Sequence, residues 1–319
     1  MKNVILYTIE DCNHLSTLLS TQTYDNINFN IGKYERKQFP DGERYTRILD
    51  VDKLTKSEVI IIGSTHSDSS LVELIELASA CVKYGAIKLK LFIPYFGYST
   101  MERAVKSGEV VGAKIRARLI SAIPQAAMGN EIYLLDLHSE GIPYYFEGNA
   151  TVFHLYAKDL ILKLIQKSVP ENTEYVLGST DAGRAKWIES LAKDLNVNPA
   201  FVYKRRTSGN DTSVTGINAD VNDKHVVIYD DMIRSGGSII QASEAYKKAG
   251  AKSVSLITTH ALFTSSDKSI NQVVDEIMTK TNATALYFTD SHPNALKVNH
   301  KLTLFLSVTN IFKQHIDKE

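Results

Sequence analysis

The residues best suited to chemistry lie in the segment HVVIYDDMIRSGGSIIQASEAYKKAG, positions 225–250. An apolar run ends in two acids, Asp230 and Asp231. Three residues on, from Met232 to Arg234, it reaches Ser235-Gly236-Gly237-Ser238, where an amphipathic pattern starts at once. Paired glycines at a helix start let backbone N–H groups come close to an anion. Ser235 and Ser238 add hydroxyl donors, and a loop of this kind fits a monophosphate. The two carboxylates beside it have the chemistry to accept hydrogen bonds from vicinal sugar hydroxyls or to hold Mg²⁺. An anion cradle next to diol acceptors is what a ribose 5-phosphate group requires. Ser-Gly-Gly-Ser by itself serves a plain serine-capped turn equally well; the full string is the specific signal.

Other residues admit two readings each. His138 ends the run EIYLLDLH, where it suits a contact to Mg²⁺ or its water, or a carbonyl-bonded core histidine. Lys204, Arg205 and Arg206 precede the small, polar TSGND, so they form either a solvated cluster or the base of a mobile loop. Trp187 reads as a packing residue on a helix.

These residues need elements to position them. VIIIG (59–63), LKLFIPYF (89–96) and EIYLLDLH (131–138) read as strands. SLVELIELASACVKYGA (70–86) and KIRARLISAI (114–123) between them have apolar residues at helical spacing. The rhythm then restarts. Helices are expected at 156–168, 182–195 and 238–251, and strands at 175–181, 201–206, 225–231 and 253–263. Strand–helix alternation implies parallel sheets flanked by helices, an α/β protein of two tandem units. The expected division is 1–148, joined by a C-terminal helix at 304–319, and 149–303.

Bulk composition narrows the function classes. The 319 residues are 44% hydrophobic, with 36 basic and 36 acidic side chains, so a phosphate site must be local rather than a product of net charge. Neither nucleic acid nor a membrane is an expected partner. Cys12 and Cys81 form no metal or disulfide spacing, MKNVILYTIEDCNHL reads as a first strand rather than a leader, and the expected location is the cytoplasm.

The Asp230–Ser238 string resembles the phosphoribosyl-diphosphate motif of the type I phosphoribosyltransferase fold. FPDGERYTRI (39–48), IPYFGYSTMERAVKSGE (93–109), LLDLHSEGIPYYF (134–146), STDAGRAKW (179–187) and YKRRTSGN (203–210) resemble, in order, segments of the ribose-phosphate diphosphokinase family. The resemblance spans almost the whole chain and implies two phosphoribosyltransferase-type domains. It also implies transfer of the β,γ-diphosphate of ATP, with Mg²⁺, to the 1-hydroxyl of ribose 5-phosphate. Residue by residue, it places the sugar phosphate at Asp230, Asp231 and Arg234–Ser238, and the diphosphate on the loop Thr180, Asp181, Ala182, Gly183 and Arg184. The metal falls to His138 and Asp181, and charge stabilisation to Lys204 and Arg206. Adenine goes to Phe39, Asp41 and Glu43 of an adjacent subunit, an aromatic face with two carboxylates suiting a purine amine. The implied partners are therefore small molecules and further copies of the chain, in a dimer-based homo-oligomer extending to a hexamer.

Departures from the family pattern cluster on substrate contacts. An Arg-Gln pair used for ATP is Thr100-Met101 here, with Arg103 nearby as a substitute. A diphosphate-loop glycine is Arg184. An acid before Ser-Gly-Gly is Arg234, whose charge suits a second phosphate. ADP-ribose is thus the alternative acceptor. A catalytically silent regulatory subunit is a third reading, and a base-using phosphoribosyltransferase is disfavoured because no base-binding hood is evident.

Overall fold

The computed structural model describes residues 2–24, 27–206 and 212–316, except for the side chains of 204–206 and 212–215. The chain divides into two compact units, Met1–Tyr156 with Val308–Glu319, and Ala157–Ser307. Among the described residues no helix is long and apolar enough to cross a membrane.

In the first unit β1 (Lys2–Thr8), α1 (Asn13–Ser20) and β2 (Ile27–Ile31) lead to a hairpin of β3 (Tyr34–Gln38) and β4 (Arg44–Ile48). Then follow β5 (Glu58–Ile62), α2 (Asp68–Lys83), β6 (Lys88–Ile93), α3 (Gly112–Ser121), β7 (Asn130–Leu135) and β8 (Thr151–Leu155). The six-stranded sheet runs β2-β1-β5-β6-β7-β8, parallel throughout. Every residue of β5 is buried, which is why Val59–Ile62 reads as an unbroken apolar run instead of alternating. On α2 the Ser67 hydroxyl caps the amide of Ser70, and Leu71, Leu74, Leu77, Ala78 and Cys81 form the buried stripe.

The second unit repeats this plan. It comprises α4 (Lys158–Ser168), β9 (Tyr175–Ser179), α5 (Ala185–Leu195), β10 (Pro199–Ala200) and a hairpin of β11 (Val202–Arg206) and β12 (Thr212–Ile217). Next come β13 (His225–Ile233), α6 (Gly237–Lys248), β14 (Ser253–Ala261), α7 (Ile270–Thr281), β15 (Leu286–Thr289) and β16 (Thr303–Leu306). Its sheet, β10-β9-β13-β14-β15-β16, has the same strand order and is also parallel.

The last helix, α8 (Thr309–Ile316), belongs to the first unit. Lys90 is buried beneath it, donates to the carbonyl of His315 at 3.3 Å and pairs with Glu58 at 3.1 Å. Burial pulls this ammonium below the usual lysine range. Phe312 packs on Phe92 at 5.0 Å between ring centroids.

Two expectations about the division of the chain shift. The division falls after Tyr156 rather than 148, because β8 completes the first sheet against β7. Residues 304–306, expected within a helix, lie in β16, because Thr303–Leu306 pairs in parallel with Leu286–Thr289.

His225, at the start of β13, is fully buried, with its ring nitrogens 2.8 Å from the Ser253 hydroxyl and 3.0 Å from that of Ser255. Burial lowers its pKa from 6.5 to about 4. The unfolded chain therefore takes up this proton first. The contribution to stability is whole above pH 6.5 and falls as the pH drops toward 4. Urea unfolding at pH 7 and pH 4.5 should show His225→Gln losing about 2–3 kcal/mol less than the wild type on acidification. Equal losses would exclude His225 as an acid-sensitive point.

Candidate functional site

In the second sheet the chain passes from β9 outward to β10, while β13 lies on the opposite side of β9. Chain paths diverge at such a place and leave a crevice at the carboxyl ends of the strands. The register deepens it. β13 pairs with β9 only as far as Tyr229 opposite Ser179, but continues along β14 to Ile233 opposite Ala261. Asp230 and Asp231 therefore lie inside the strand, not at its end at 231 as the sequence suggests, with the β9 side open.

Successive strand residues face opposite ways. Asp231 is buried and Asp230 half-buried. Asp230 Oδ2 accepts from the Thr180 hydroxyl at 3.0 Å, and its Oδ1 accepts from the Asp231 amide at 3.0 Å. Burial, then the adjacent Asp231 charge, raise the Asp230 carboxyl well above the usual range, and Asp181 adds to the effect. The Arg184 guanidinium lies 3.9 Å from Asp231 Oδ2.

After β9, Asp181 Oδ1 accepts from the Gly183 amide at 2.7 Å, and the Ser179 hydroxyl donates to the Asp181 carbonyl. This local turn competes with the helix, so α5 starts at Ala185 rather than at 182. Asp181, Ala182 and Gly183 are exposed along the crevice. Across it, α6 starts at Gly237 with Gly236 as its N-cap at φ +86°, and no side chain caps the first turn. Those N–H groups are oriented to receive an anion. Arg234, Ser235, Gly237 and Ser238 are exposed around them, and Gly236 is buried.

Three carboxylates, Asp181, Asp230 and Asp231, thus influence one corner, where burial first and the neighbouring charges second raise the Asp230 pKa. A hard cation or sugar hydroxyls would oppose this rise. Among the described residues no three ligating side chains are gathered into a cage. A sparse carboxylate set fits Mg²⁺, which keeps waters and substrate phosphates in its shell.

The hairpin β11–β12 leaves the sheet beside this corner of the unit. Asn218 Oδ1 accepts from the Phe201 amide at 2.7 Å and closes its base. The backbone register sets Lys204 opposite Val214 and Arg206 opposite Thr212. The side chains of Lys204, Arg205 and Arg206, and residues 207–211, lie outside the described residues.

The remaining candidates belong to the first unit. Phe39, Asp41 and Glu43 form the exposed tip between β3 and β4. The Phe39 amide donates to the Glu43 carbonyl at 2.8 Å, Asp41 Oδ1 accepts from the Glu43 amide at 3.0 Å, and Gly42 supplies φ +94°. Arg103 is exposed and lies 3.5 Å from the Glu102 carboxylate. β7 ends at Leu135, and His138 follows in an exposed loop after the turn at Asp136, φ +42°.

Two further residues of the second unit bear on the corner, and motif reading did not single them out. Tyr246 of α6 is fully buried, and its hydroxyl bonds the root of the loop after β9. Gly178 gives way to it: a Cβ there would come within 2.9 Å of the tyrosine ring and of Val226. A glycine inside an apolar strand is the signal that marks such an approach.

Both units match known protein families. Residues 9–123 match the N-terminal domain of ribose phosphate pyrophosphokinase, and residues 154–284 match the phosphoribosyl transferase domain. A Campylobacter jejuni protein named ribose-phosphate pyrophosphokinase is 33% identical over 88% of this chain and 85% of its own length. A Thermotoga maritima protein of the same name is 29% identical, over 91% and 88%. The crystal structure of phosphoribosylpyrophosphate synthetase from Mycobacterium smegmatis shares the fold, with TM-score 0.81, 22% identity, and coverage of 99% of this chain and 98% of that one.

Proposed function

The chain belongs to the ribose-phosphate pyrophosphokinase family, and on that premise we propose that it transfers the β,γ-diphosphate of ATP to the 1-hydroxyl of ribose 5-phosphate. The observation that carries the reading is the uncapped first turn of α6 beside Asp230 and Asp231, a phosphate cradle next to diol acceptors in one unit. The 5-phosphate sits on the amides from Gly237 onward with the Ser235 and Ser238 hydroxyls, and the aspartates accept from the sugar hydroxyls. The loop Thr180–Arg184, exposed at Asp181, Ala182 and Gly183, holds the diphosphate. The anomeric oxygen bonds to the β-phosphorus, the bond from that phosphorus to the α,β-bridging oxygen breaks, and AMP leaves with that oxygen.

Such transfers depend on positioning and on balancing phosphate charge. Lys204 and Arg206 are the cations assigned to that balance. Asp181 and Asp230 would hold Mg²⁺, which would supply charge neutralisation to the phosphates; His138, on the first unit, is the further metal contact that the family resemblance assigns. Phe39, Asp41 and Glu43 receive adenine in a neighbouring copy of the chain, a role supported by the exposure of the hairpin tip. Arg103 takes a share of the ATP phosphates.

ADP-ribose is the second acceptor reading, and Arg234 favours it, since this exposed cation flanks the cradle. Release of AMP from ATP and Mg²⁺, run in parallel with ribose 5-phosphate and ADP-ribose, tests both. AMP with ribose 5-phosphate alone supports the first reading, AMP with ADP-ribose supports the second, and none with either points to a silent regulatory subunit. Arg234→Asp is expected to shift the kcat/KM preference toward ribose 5-phosphate by about 10-fold, the worth of one charge-assisted contact. An unchanged ratio would show that Arg234 reads no second phosphate.

A further inference from the structure

One buried hydroxyl joins three separate parts of the second unit. Tyr246 Oη accepts from the Ser179 amide at 3.1 Å, and its single proton is shared between the carbonyls of Ser179 at 3.0 Å and Ala200 at 2.8 Å. Ser179 is the last residue of β9, immediately before the loop Thr180–Arg184, and its own hydroxyl holds the Asp181 carbonyl. Ala200 ends β10, two residues before the hairpin that carries Lys204 and Arg206. Tyr246 itself stands on α6, whose first turn is the phosphate cradle.

Parallel strands bond each other along their edges, but β9 and β10 are joined through only two register pairs, Pro199 with Leu177 and Ala200 with Gly178. The ladder ends where the loop and the hairpin diverge. At that end the tyrosine hydroxyl continues the bonding that the backbone no longer supplies. Gly178 makes room for the ring, because any Cβ would come within 2.9 Å of it.

We propose that Tyr246 is a positioning residue for diphosphate transfer, its hydroxyl fixing the diphosphate loop and the root of the Lys204 hairpin relative to the phosphate cradle of α6. The inference rests on the reading of Thr180–Arg184 as the diphosphate loop. It assigns to Tyr246 no contact with substrate. A misplacement of about 1 Å at a distance from the reacting atoms can cost about 10²-fold in rate, so a small hydroxyl suffices for a large effect. Because the cradle has its own support in the Gly236–Ile277 contact, loss of the hydroxyl acts on the ATP side more than on the acceptor side.

Tyr246→Phe keeps the ring and removes the hydroxyl. The expected result is a kcat lowered about 10–100-fold and a raised KM for ATP, with the acceptor KM changed less than about twofold. Amide hydrogen exchange should quicken at Ser179–Asp181 and leave the central strands β13 and β14 protected. A merely structural tyrosine would lower the folded fraction, leave both KM values alone and speed exchange throughout the unit; that pattern overturns the proposal. So does an unchanged kcat. Should the wild type release no AMP with either acceptor, the functional reading itself falls. The exchange comparison then decides whether Tyr246 holds the loop, and unchanged exchange at Ser179–Asp181 would refute it.

Discussion

Lys204→Ala should lower the turnover of ATP to AMP by about 10²–10³-fold, the usual consequence of removing one preorganised charge-stabilising donor. The hairpin that carries Lys204 is a backbone ladder of two antiparallel strands, closed at its base by Asn218 and Phe201. Neither feature needs the lysine side chain, so the fold should survive and the loss should appear in kcat. Arg206→Ala, on the same strand, should act in the same direction. The measurement is single-turnover AMP formation with saturating ATP and acceptor, beside a thermal melt. A turnover equal to the wild type would take Lys204 out of the mechanism, and an equal fall in melting temperature and rate would assign it to stability.

Gly236→Ala should produce the second large effect, on stability. At φ +86° a Cβ is strained, and the added atom would meet Ile277 Cγ1 at 2.4 Å and Cδ1 at 2.7 Å, inside the core of the second unit. A left-handed conformation costs about 1–2 kcal/mol and overpacking about 1–3 kcal/mol. The sum, about 2–5 kcal/mol, should lower the urea midpoint strongly. Gly237→Ala is the natural contrast, since nothing lies within 4 Å of its Cβ position. It should fold at least as stably as the wild type, because the position is open and alanine has the higher helix propensity. The new methyl would still face the anion and raise the acceptor KM. If both variants altered only KM, the packing argument for Gly236 would fail.

Much of this site is visible in the sequence for a simple reason. Parallel strands buried on both faces give runs such as 59–62 and 226–229, and a strand that ends in acids and glycines announces a crevice. Adjacency also tells that Asp230 and Asp231 face opposite ways. What stays hidden depends on partners far along the chain. The extension of β13 past Asp231 is decided by β14 alone, since β9 stops at Ser179. The start of α5 is delayed by the turn that Asp181 makes with Gly183. Tyr246 has the helical spacing of any core residue, and its hydroxyl bonds lie 46 and 67 positions away. β16 is short and half-exposed, so neither burial nor alternation marks it.

The return of α8 to the first sheet has a consequence for how the chain is made. Lys90, Glu58 and Phe92 emerge from the ribosome early, but the helix that covers Lys90 and packs on Phe92 arrives only after the whole second unit. Domains commonly fold as they are synthesised, the earlier before the later. Here the unit begun first is completed last. The contiguous stretch from Ala157 to Ser307 has all its own strands at hand before the first sheet receives its final cover. A stalled or shortened chain would therefore hold a finished second unit beside a first unit that still exposes a lysine meant for the interior.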